Sequence, residues 1–311
     1  MTFIKKQDGM ALITVLLATA LIAVLAVGMT SAQQIAIKRT SNLVENDQAM
    51  LLSLGLEEWA IQLLLRDRQQ EGGTDHLAEN WALTLMPTAT ENGVITGHIV
   101  DLQGRVNLNN LELGDEPTIE QTRRILTGLF NLCEVDDDYQ AIQALADWLD
   151  ADSEIRPGGA EDNEYLHSAS PYLAANRLLT SPSELLLVDG VSVENYGCLN
   201  NHLTALPAAS AINLNTAGPE IISALSDKIS LAAAEEIVKD RPEEGYRDIA
   251  DFLAHPALAG STITADGLSL TSDFFLVRGQ ASFGDAEIRL NSVVARRPDT
   301  VEILGRSIGT Y

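Results

Sequence analysis

A run of carboxylate side chains near the middle of the chain has the residue types and the spacing of a cation-binding loop. This run, Asp147 to Tyr165, reads DWLDADSEIRPGGAEDNEY. Counted from Asp150, acidic residues occupy positions 1, 3, 5 and 12, which is the ligand spacing of an EF-hand calcium loop. The sixth position holds Ile155, where a regular EF-hand has glycine. The pattern therefore predicts a cation site that is not a regular EF-hand.

Calcium is the cation that this donor set favours. Crowded carboxylates repel one another unless a cation neutralises them, and Gly158 and Gly159 give the backbone freedom to turn the donors inward. Ca²⁺ accepts about six to eight oxygen ligands in a flexible loop, and the run contains neither His nor Cys for a softer metal. For one or two ions, the expected ligands are Asp147, Asp150, Asp152, Glu154, Glu161 and Asp162.

Two other interpretations of the run stay open at this point. An acidic loop in a chain of net charge −24 can be solvated and hold no metal. A pair of its carboxylates could serve hydrolysis, but a glycosidase needs two carboxylates across a cleft with pKa values pushed apart. The sequence lacks a G-x-S-x-G motif, a P-loop and an H-E-x-x-H motif, and its five histidines are scattered. We therefore expect no enzymatic activity.

Helices must position the acidic run, and strands surround those helices. Pro117 to Phe130 opens with a helix-start signature, and Asp136 to Asp138 can cap a second helix, Tyr139 to Leu149, that leads into the run. Strand patterns with a predicted tight hairpin precede this region, and three alternating runs follow it: Val94–Asp101, Arg105–Asn109, Phe274–Phe283, Ala286–Ala295 and Thr300–Arg306. The order predicts an α+β fold, with one antiparallel sheet interrupted by a helical insertion over 113–273.

The N-terminal region predicts a long helix that crosses a membrane. Met10 to Met29 carries no charge and spans roughly 30 Å, the thickness of a bilayer core, while Lys5 and Lys6 mark the cytoplasmic side. No proline follows before Asp67, so transmembrane and amphipathic halves form one rod of about 85 Å. The apolar stripe that should pack on the body contains Ile35, Leu43, Met50, Leu54, Trp59 and Leu63.

The N-terminal region also allows two simpler interpretations. A secretory signal peptide would share the Lys-led start and could be cut near Ala32, and a plain anchor would remain uncut. The two cysteines, Cys133 and Cys198, are a disulfide candidate that fits a compartment across the membrane, where such a bond would add about 4 kcal/mol; two buried thiols are the alternative.

The sequence resembles the K-class minor pseudopilins of type II secretion systems. Gly9 followed by Met10 resembles a prepilin processing site, and Thr14 stands where other pilins carry Glu, a difference typical of this class. The acidic run matches the motif of the class at Asp147, Trp148, Asp150, Asp152, Arg156, Gly159, Ala160, Glu161 and Tyr165, and the resemblance covers nearly the whole chain.

The resemblance implies how the chain is processed, where it is located and what it does. A prepilin peptidase would remove the leader, residues 1–9, after Gly9 and methylate Met10. The helix, residues 10–70, would anchor the chain in the bacterial inner membrane as a single pass. Residues 71–112 and 274–311 would form the sheet in the periplasm, and the insertion would bind Ca²⁺. The protein would sit at the pseudopilus tip with other minor pseudopilins, prime assembly and support export of folded proteins.

A second segment resembles a helix-hairpin-helix module and suggests a membrane-anchored nucleic-acid uptake protein. This segment runs from Ile212 to Leu253, but its hairpin, Ser226 to Ser230, has no glycine to present amides to phosphate. Carboxylates surround the hairpin, and the net charge of −24 opposes nucleic-acid binding. We therefore expect a protein-packing module and no nucleic acid among the partners.

Overall fold

The computed structural model describes residues 10–70, 73–91, 93–168 and 170–309, so the expected leader with Gly9 lies outside the described residues. Its α-helices are α1 (Met10–Gln70), α2 (Asn110–Leu113), α3 (Glu116–Leu132), α4 (Asp138–Leu149), α5 (Asp162–Leu166), α6 (Val193–Leu199), α7 (Pro219–Ala224), α8 (Leu231–Asp240) and α9 (Ile249–Leu253). Its strands are β1 (Leu85–Ala89), β2 (Gly93–Asp101), β3 (Val106–Asn107), β4 (Leu203–Thr204), β5 (Ile212–Asn213), β6 (Leu268–Ser269), β7 (Phe274–Phe283), β8 (Ala286–Arg296) and β9 (Val301–Ile308).

The first half of α1 projects away from the body. Within the described residues, α1 is the single helix long and apolar enough to cross a membrane, and its most apolar window has a mean hydropathy of 2.8 and no buried residue. Thr14 interrupts this apolar surface, but its hydroxyl donates to the carbonyl of Ala11 at 2.9 Å. Because its polar group is satisfied within the helix, Thr14 is compatible with lipid.

The second half of α1 packs on the sheet and Leu63 of the predicted stripe is partly buried there, but the centre of the buried face is different. Leu43 and Trp59 are 67% and 48% exposed. The buried face instead contains Ala49, Ser53, Leu56, Glu57, Ala60, Ile61 and Leu64. Small side chains at this face let the helix lie close to the strands, and a prediction based on large apolar residues overlooks them.

Five strands form one antiparallel sheet in the order β1-β2-β7-β8-β9. The three strands predicted after the insertion are confirmed, and the α+β class with them. The face toward α1 has glycine at two paired positions, Gly97 and Gly279, where an added Cβ would lie 2.9 Å and 2.8 Å from the Leu56 side chain. The opposite, outer face carries Val100, Leu276 and Val293, which pack near Leu206 of the insertion.

The predicted hairpin between Val94–Asp101 and Arg105–Asn109 is wrong. β2 pairs with β1 and β7, and β3 instead forms a short parallel bridge with β4. Leu102 is fully buried, and its amide donates to the carbonyl of Phe274 at 3.0 Å. The chain therefore leaves the sheet after β2 and enters the insertion, which returns to the sheet at β7.

The insertion has its own apolar core, centred on α3, α4 and α7. Leu126, Leu129 and Leu145 are fully buried in it. A disulfide between Cys133 and Cys198, with 5.7 Å between their Cα atoms, joins the end of α3 to α6. The acidic run thus begins at the end of a helix that packed and covalently linked neighbours hold in place.

Two similar segments, Val106–Asn109 and Ile212–Asn215, fasten the insertion to the sheet through buried asparagines. Asn109 donates to the carbonyls of Leu179 and Leu206, both at 2.9 Å. Asn213 donates to the Asp75 carbonyl, to Asp101 Oδ2 and to Ser272 Oγ at 2.9–3.1 Å. These side chains satisfy the backbone and carboxylate groups that the irregular connections bury.

Candidate metal site in the acidic loop

The first carboxylates of the site lie at the C-terminal end of α4. Asp147 is fully buried in the last turn, and Asp150 caps the helix. Arg156 turns back onto both of them: its Nη1 donates to Asp147 Oδ1 at 2.7 Å and to Asp150 Oδ2. The backbone amide of Arg156 also donates to Asp147 Oδ2 at 3.2 Å. One guanidinium therefore balances part of the negative charge of two carboxylates.

The remaining charge of the cluster centres on Glu161. Asp150, Asp152 and Glu161 each offer a carboxylate oxygen within 4.8 Å of the others. Both oxygens of Glu161 are buried and accept no hydrogen bond from the described residues. Burial, followed by the charges of Asp147 and Asp150, raises the pKa of Glu161 to about 7. A divalent cation would meet the charge that the protein leaves uncompensated here, so these residues fit Ca²⁺.

Two further residues shape the loop around the cluster. An added Cβ at Gly159 would overlap the carboxylate of Asp147, so only glycine allows the chain to pass this close. Asn176 approaches from a later turn, with Nδ2 donating to the Asp152 carbonyl at 2.7 Å. Its Oδ1 is buried and has no partner among the described residues, and its φ of 45° lies in the left-handed region that Asn tolerates.

Asn176 is the site residue that sequence reasoning overlooks. An amide oxygen is a hard donor suited to Ca²⁺, but Asn176 stands 24 residues beyond Asp152. Its sequence neighbours show no ligand pattern. It comes close to the cluster only in the fold, where the amide of the next residue, Arg177, donates to the Trp148 carbonyl and returns the chain to α4.

Three of the six expected ligands, Asp147, Glu154 and Asp162, lie outside the group whose oxygens converge. Glu154 is exposed, and its backbone amide donates to Asp152 Oδ1 at 2.8 Å. Asp162 begins α5, and its Oδ1 accepts from the Ala174 amide at 2.9 Å. The structure therefore brings together Asp150, Asp152 and Glu161, whereas Asp147 is bound by Arg156 and Asp162 holds the following loop.

A second carboxylate group, Asp67, Asp75 and Glu79, lies where α1 ends beside the sheet. Here the protein supplies the cation itself: Arg296, which is 1% exposed, donates to Asp67 at 2.7 Å and to Asp75 at 2.5 Å. Glu79 accepts from the indole nitrogen of Trp81 at 2.5 Å. Because each carboxylate has a protein partner, this group is an ionic link between elements, in contrast to the cluster around Glu161.

The helix-hairpin-helix-like segment uses its hairpin amides internally. The Ile229 amide donates to the Ser226 carbonyl at 3.1 Å, and the Lys228 amide donates to Ser226 Oγ at 3.3 Å. The Lys228 ammonium donates to the Gly260 carbonyl at 2.9 Å. A phosphate would find these donors already engaged, and α7 instead packs against α3 and α8.

Comparison with known proteins places these features in one family. Models described as "Type II secretion system (T2SS), protein K" match residues 104–208 and 212–271. Proteins named type II secretion system protein K include one from Pseudomonas aeruginosa, 35% identical over 98% of this chain and 94% of its own length. Another, from Aeromonas hydrophila, is 31% identical over 98% of this chain and 97% of its own length.

A solved structure gives the same result. The GspK–GspI–GspJ complex from the enterotoxigenic Escherichia coli type 2 secretion system contains a chain 27% identical to this one, with a TM-score of 0.77. The match covers 88% of this chain and 100% of that chain. The similarity therefore extends over most of this chain and is not confined to a single element.

A helix long and apolar enough to cross a membrane that continues onto an antiparallel sheet, with a helical insertion between two strands, defines a pseudopilin with an added domain. This chain belongs to the type II secretion system protein K family. It is a minor pseudopilin, and its apolar α1 fits the single-pass anchor of such a subunit.

Proposed function

We propose that this chain occupies the tip of a secretion pseudopilus, where it primes assembly and supports export of folded proteins without catalysing a reaction. The observation that carries this proposal is the position of the insertion. The chain leaves the sheet after Asp101, which pairs with Phe275, at the end of the sheet where Arg296 contacts Asp67 near the end of α1. The other end of the sheet, at Asp285, contacts Lys38 on the anchor side. A subunit stacked above would meet the insertion.

The body of the protein then belongs in the periplasm and α1 in the inner membrane. An oxidising compartment is where a disulfide such as Cys133–Cys198 persists. The anchor would be released from its leader by a prepilin peptidase, which would cut after Gly9 and methylate Met10. Partners would be other minor pseudopilins, as GspI and GspJ are for the Escherichia coli relative.

The acidic loop would bind Ca²⁺ and stabilise the insertion. Asp150, Asp152 and Glu161 would supply ligands, and Asp147 would remain linked to Arg156. The donor chemistry supports this assignment, because only oxygen donors line the cluster and Glu161 is buried without a protein partner among the described residues. Bound Ca²⁺ would supply the positive charge that lets Glu161 ionise in its buried position.

Secretion by cells that lack this chain tests the function. We expect type II substrates to accumulate in the periplasm, and the wild-type chain to restore secretion and to co-purify with other minor pseudopilins. A matched control replaces residues 1–32 with a cleavable signal peptide, so that the body is released from the membrane, and we expect it not to restore secretion. Normal secretion without the chain, or full rescue by the released body, would contradict the proposal.

Thermal unfolding of the full chain in detergent tests the calcium site separately. Ca²⁺ at 100 times its dissociation constant should stabilise the wild type by about 2.7 kcal/mol relative to a chelator, and Glu161→Gln should lose this increment. Glu154→Gln removes a carboxylate of the same loop that lies outside the cluster and should retain it. A Glu161→Gln protein that keeps the wild-type response to Ca²⁺ would show that Glu161 is not a ligand.

A further inference from the structure

The outer face of the sheet is only partly covered by the insertion. Leu206 packs near Val100, Leu276 and Val293 at the upper part of this face. Below them, a concavity of about 350 Å³ opens among the strands β2, β7 and β8. It is lined by Thr96, His98, Arg278, Gln280, Arg289 and Asn291. These six side chains are polar and none is a carboxylate, in a chain with 44 acidic and 20 basic residues.

The cations of this concavity are fixed by strand register. Arg278 lies directly opposite His98 on β2 and opposite Asn291 on β8. Arg289 lies opposite Gln280, two residue pairs nearer the β7–β8 turn, and is linked to Glu287 at 2.8 Å. Burial, and then the charge of Arg278, lowers the pKa of His98. The charge of Arg289 is thus neutralised by Glu287, its neighbour on the same strand.

Arg278 is the cation that the protein leaves without a partner. Among the described residues, none forms an ion pair or a hydrogen bond with its guanidinium, and its Nε is buried. The fully buried arginine of the sheet, Arg296, has three acceptors, at Asp67, Asp75 and Ser272. A half-buried guanidinium with a buried, unsatisfied N–H favours an anion that accepts from it, and a carboxylate matches its planar fork.

From this juxtaposition we propose that the concavity around Arg278 and His98 binds a carboxylate side chain in an acidic segment of a partner protein. The net charge of −24 repels acidic partners at long range, but salt screens that repulsion beyond about 8–10 Å. The unpaired guanidinium of Arg278 on this face then attracts an acidic segment that the rest of the surface repels. The single unpaired charge of Arg278 corresponds to one carboxylate.

The distance between Arg278 and the membrane excludes a lipid headgroup as the bound anion. The turn after β7, at Gly284, lies beside Glu45, which is 16 residues or about 24 Å along α1 from the end of the apolar segment at Met29. Arg278 lies six residues further up β7, about 20 Å from that turn. The site is therefore about 40 Å from the bilayer and faces other proteins.

Histidine-ring NMR of the full chain in detergent provides a local readout. With ¹³C-labelled histidine, and with His98 assigned by a His98→Gln variant, a hexaglutamate peptide should shift the His98 signal. Hexalysine at equal ionic strength should leave it unchanged. The dissociation constant should rise at least about 10-fold in Arg278→Gln and by less in Arg278→Lys, because lysine keeps the charge but not the fork.

A control variant and a competing anion make the test decisive. Arg247→Gln removes another exposed arginine, which pairs with Glu244 away from the sheet, and it should bind hexaglutamate like the wild type. Equal affinities of Arg278→Gln and the wild type would overturn the proposal. It would also be overturned if inorganic phosphate at equal concentration reproduced the shift, since the site would then hold a free anion.

Discussion

At the residue scale, the two carboxylate groups, one around Asp67 and one around Glu161, differ in whether a protein side chain balances their charge. Arg296 satisfies Asp67 and Asp75, whereas Glu161 remains buried without a donor among the described residues. The first arrangement is a link between α1 and the sheet, and the second leaves a buried carboxylate whose charge the proposed Ca²⁺ would balance. Charge type alone does not distinguish them in the sequence; the presence or absence of a partner in the fold does.

Replacing Arg296 should destabilise the protein, because two buried carboxylates would lose their cation. Arg296→Met keeps the bulk of the side chain but leaves Asp67 and Asp75 without their cation, so the free energy of unfolding should fall by about 3–5 kcal/mol. Arg297→Met is the control, because Arg297 is 46% exposed and its ion pair with Glu302, at 3.9 Å, should contribute less than about 1 kcal/mol. Denaturant unfolding measures both, and equal losses would contradict the buried link.

Asp67 should also give the stability of the protein a measurable pH dependence. Burial raises the pKa of Asp67 from 3.8 to about 6, so the folded state binds more protons than the unfolded state between these values. Its contribution is present below pH 3.8 and is lost as the pH rises through 6, by no more than about 3 kcal/mol. Asp67→Asn should reduce this loss in chemical denaturation between pH 4 and 7 with a chelator present. Parallel curves for the two proteins would be inconsistent with it.

At the element scale, the packing of α1 on the sheet depends on glycines, which have no side chain to separate the helix from the strands. An added Cβ at Gly97 would lie 2.6 Å from the carbonyl oxygen of Arg278 and 2.9 Å from the side chain of Leu56. Neither strand nor helix can move without disturbing the other. The glycines therefore set the distance between the rod and the body.

Gly97→Ala should reduce the free energy of unfolding by about 1–3 kcal/mol, because the helix must shift to admit a methyl group. Gly305→Ala is a matched control in the same sheet, where an added Cβ meets no atom within 4 Å. Urea denaturation of both variants checks the difference. A Gly97→Ala protein as stable as Gly305→Ala would mean that the helix does not approach the sheet this closely.

The sequence predicts those elements whose signal is local. The apolar run from Met10 and the alternating strands after residue 273 follow from periodicity alone. The wrong hairpin after Asp101 shows the limit, because pairing with β7 depends on a strand more than 170 residues away in sequence. The asparagines at 109 and 213 resemble ordinary turn residues until the fold places buried carbonyls beside them.

The acidic loop shows the same difference between local sequence signals and contacts that only the fold creates. Its composition and spacing predict a cation-binding loop near α4, and that remains a prediction. Which carboxylates converge depends on Arg156 turning back, on the close approach at Gly159 and on Asn176 arriving from a later segment. None of these three features is encoded by carboxylate spacing.

At the scale of the whole molecule, one helix has two environments. Its first half presents an apolar surface to lipid or to other helices, and its second half is covered by the sheet. The insertion lies at the end of the sheet away from the anchor, where the chain leaves and rejoins the sheet at Asp101 and Phe274. The subunit can therefore join a fibre through its lower part while its upper part remains free.

The mature N-terminus of the chain recovered from membranes tests this account most directly, by intact mass and N-terminal sequencing. We expect a chain that begins at Met10, carries one added methyl group and remains with the inner membrane, because α1 must stay whole to act first as anchor and then as shaft. A soluble periplasmic chain that begins near Gln33, and so lacks the apolar half of α1, would contradict the account.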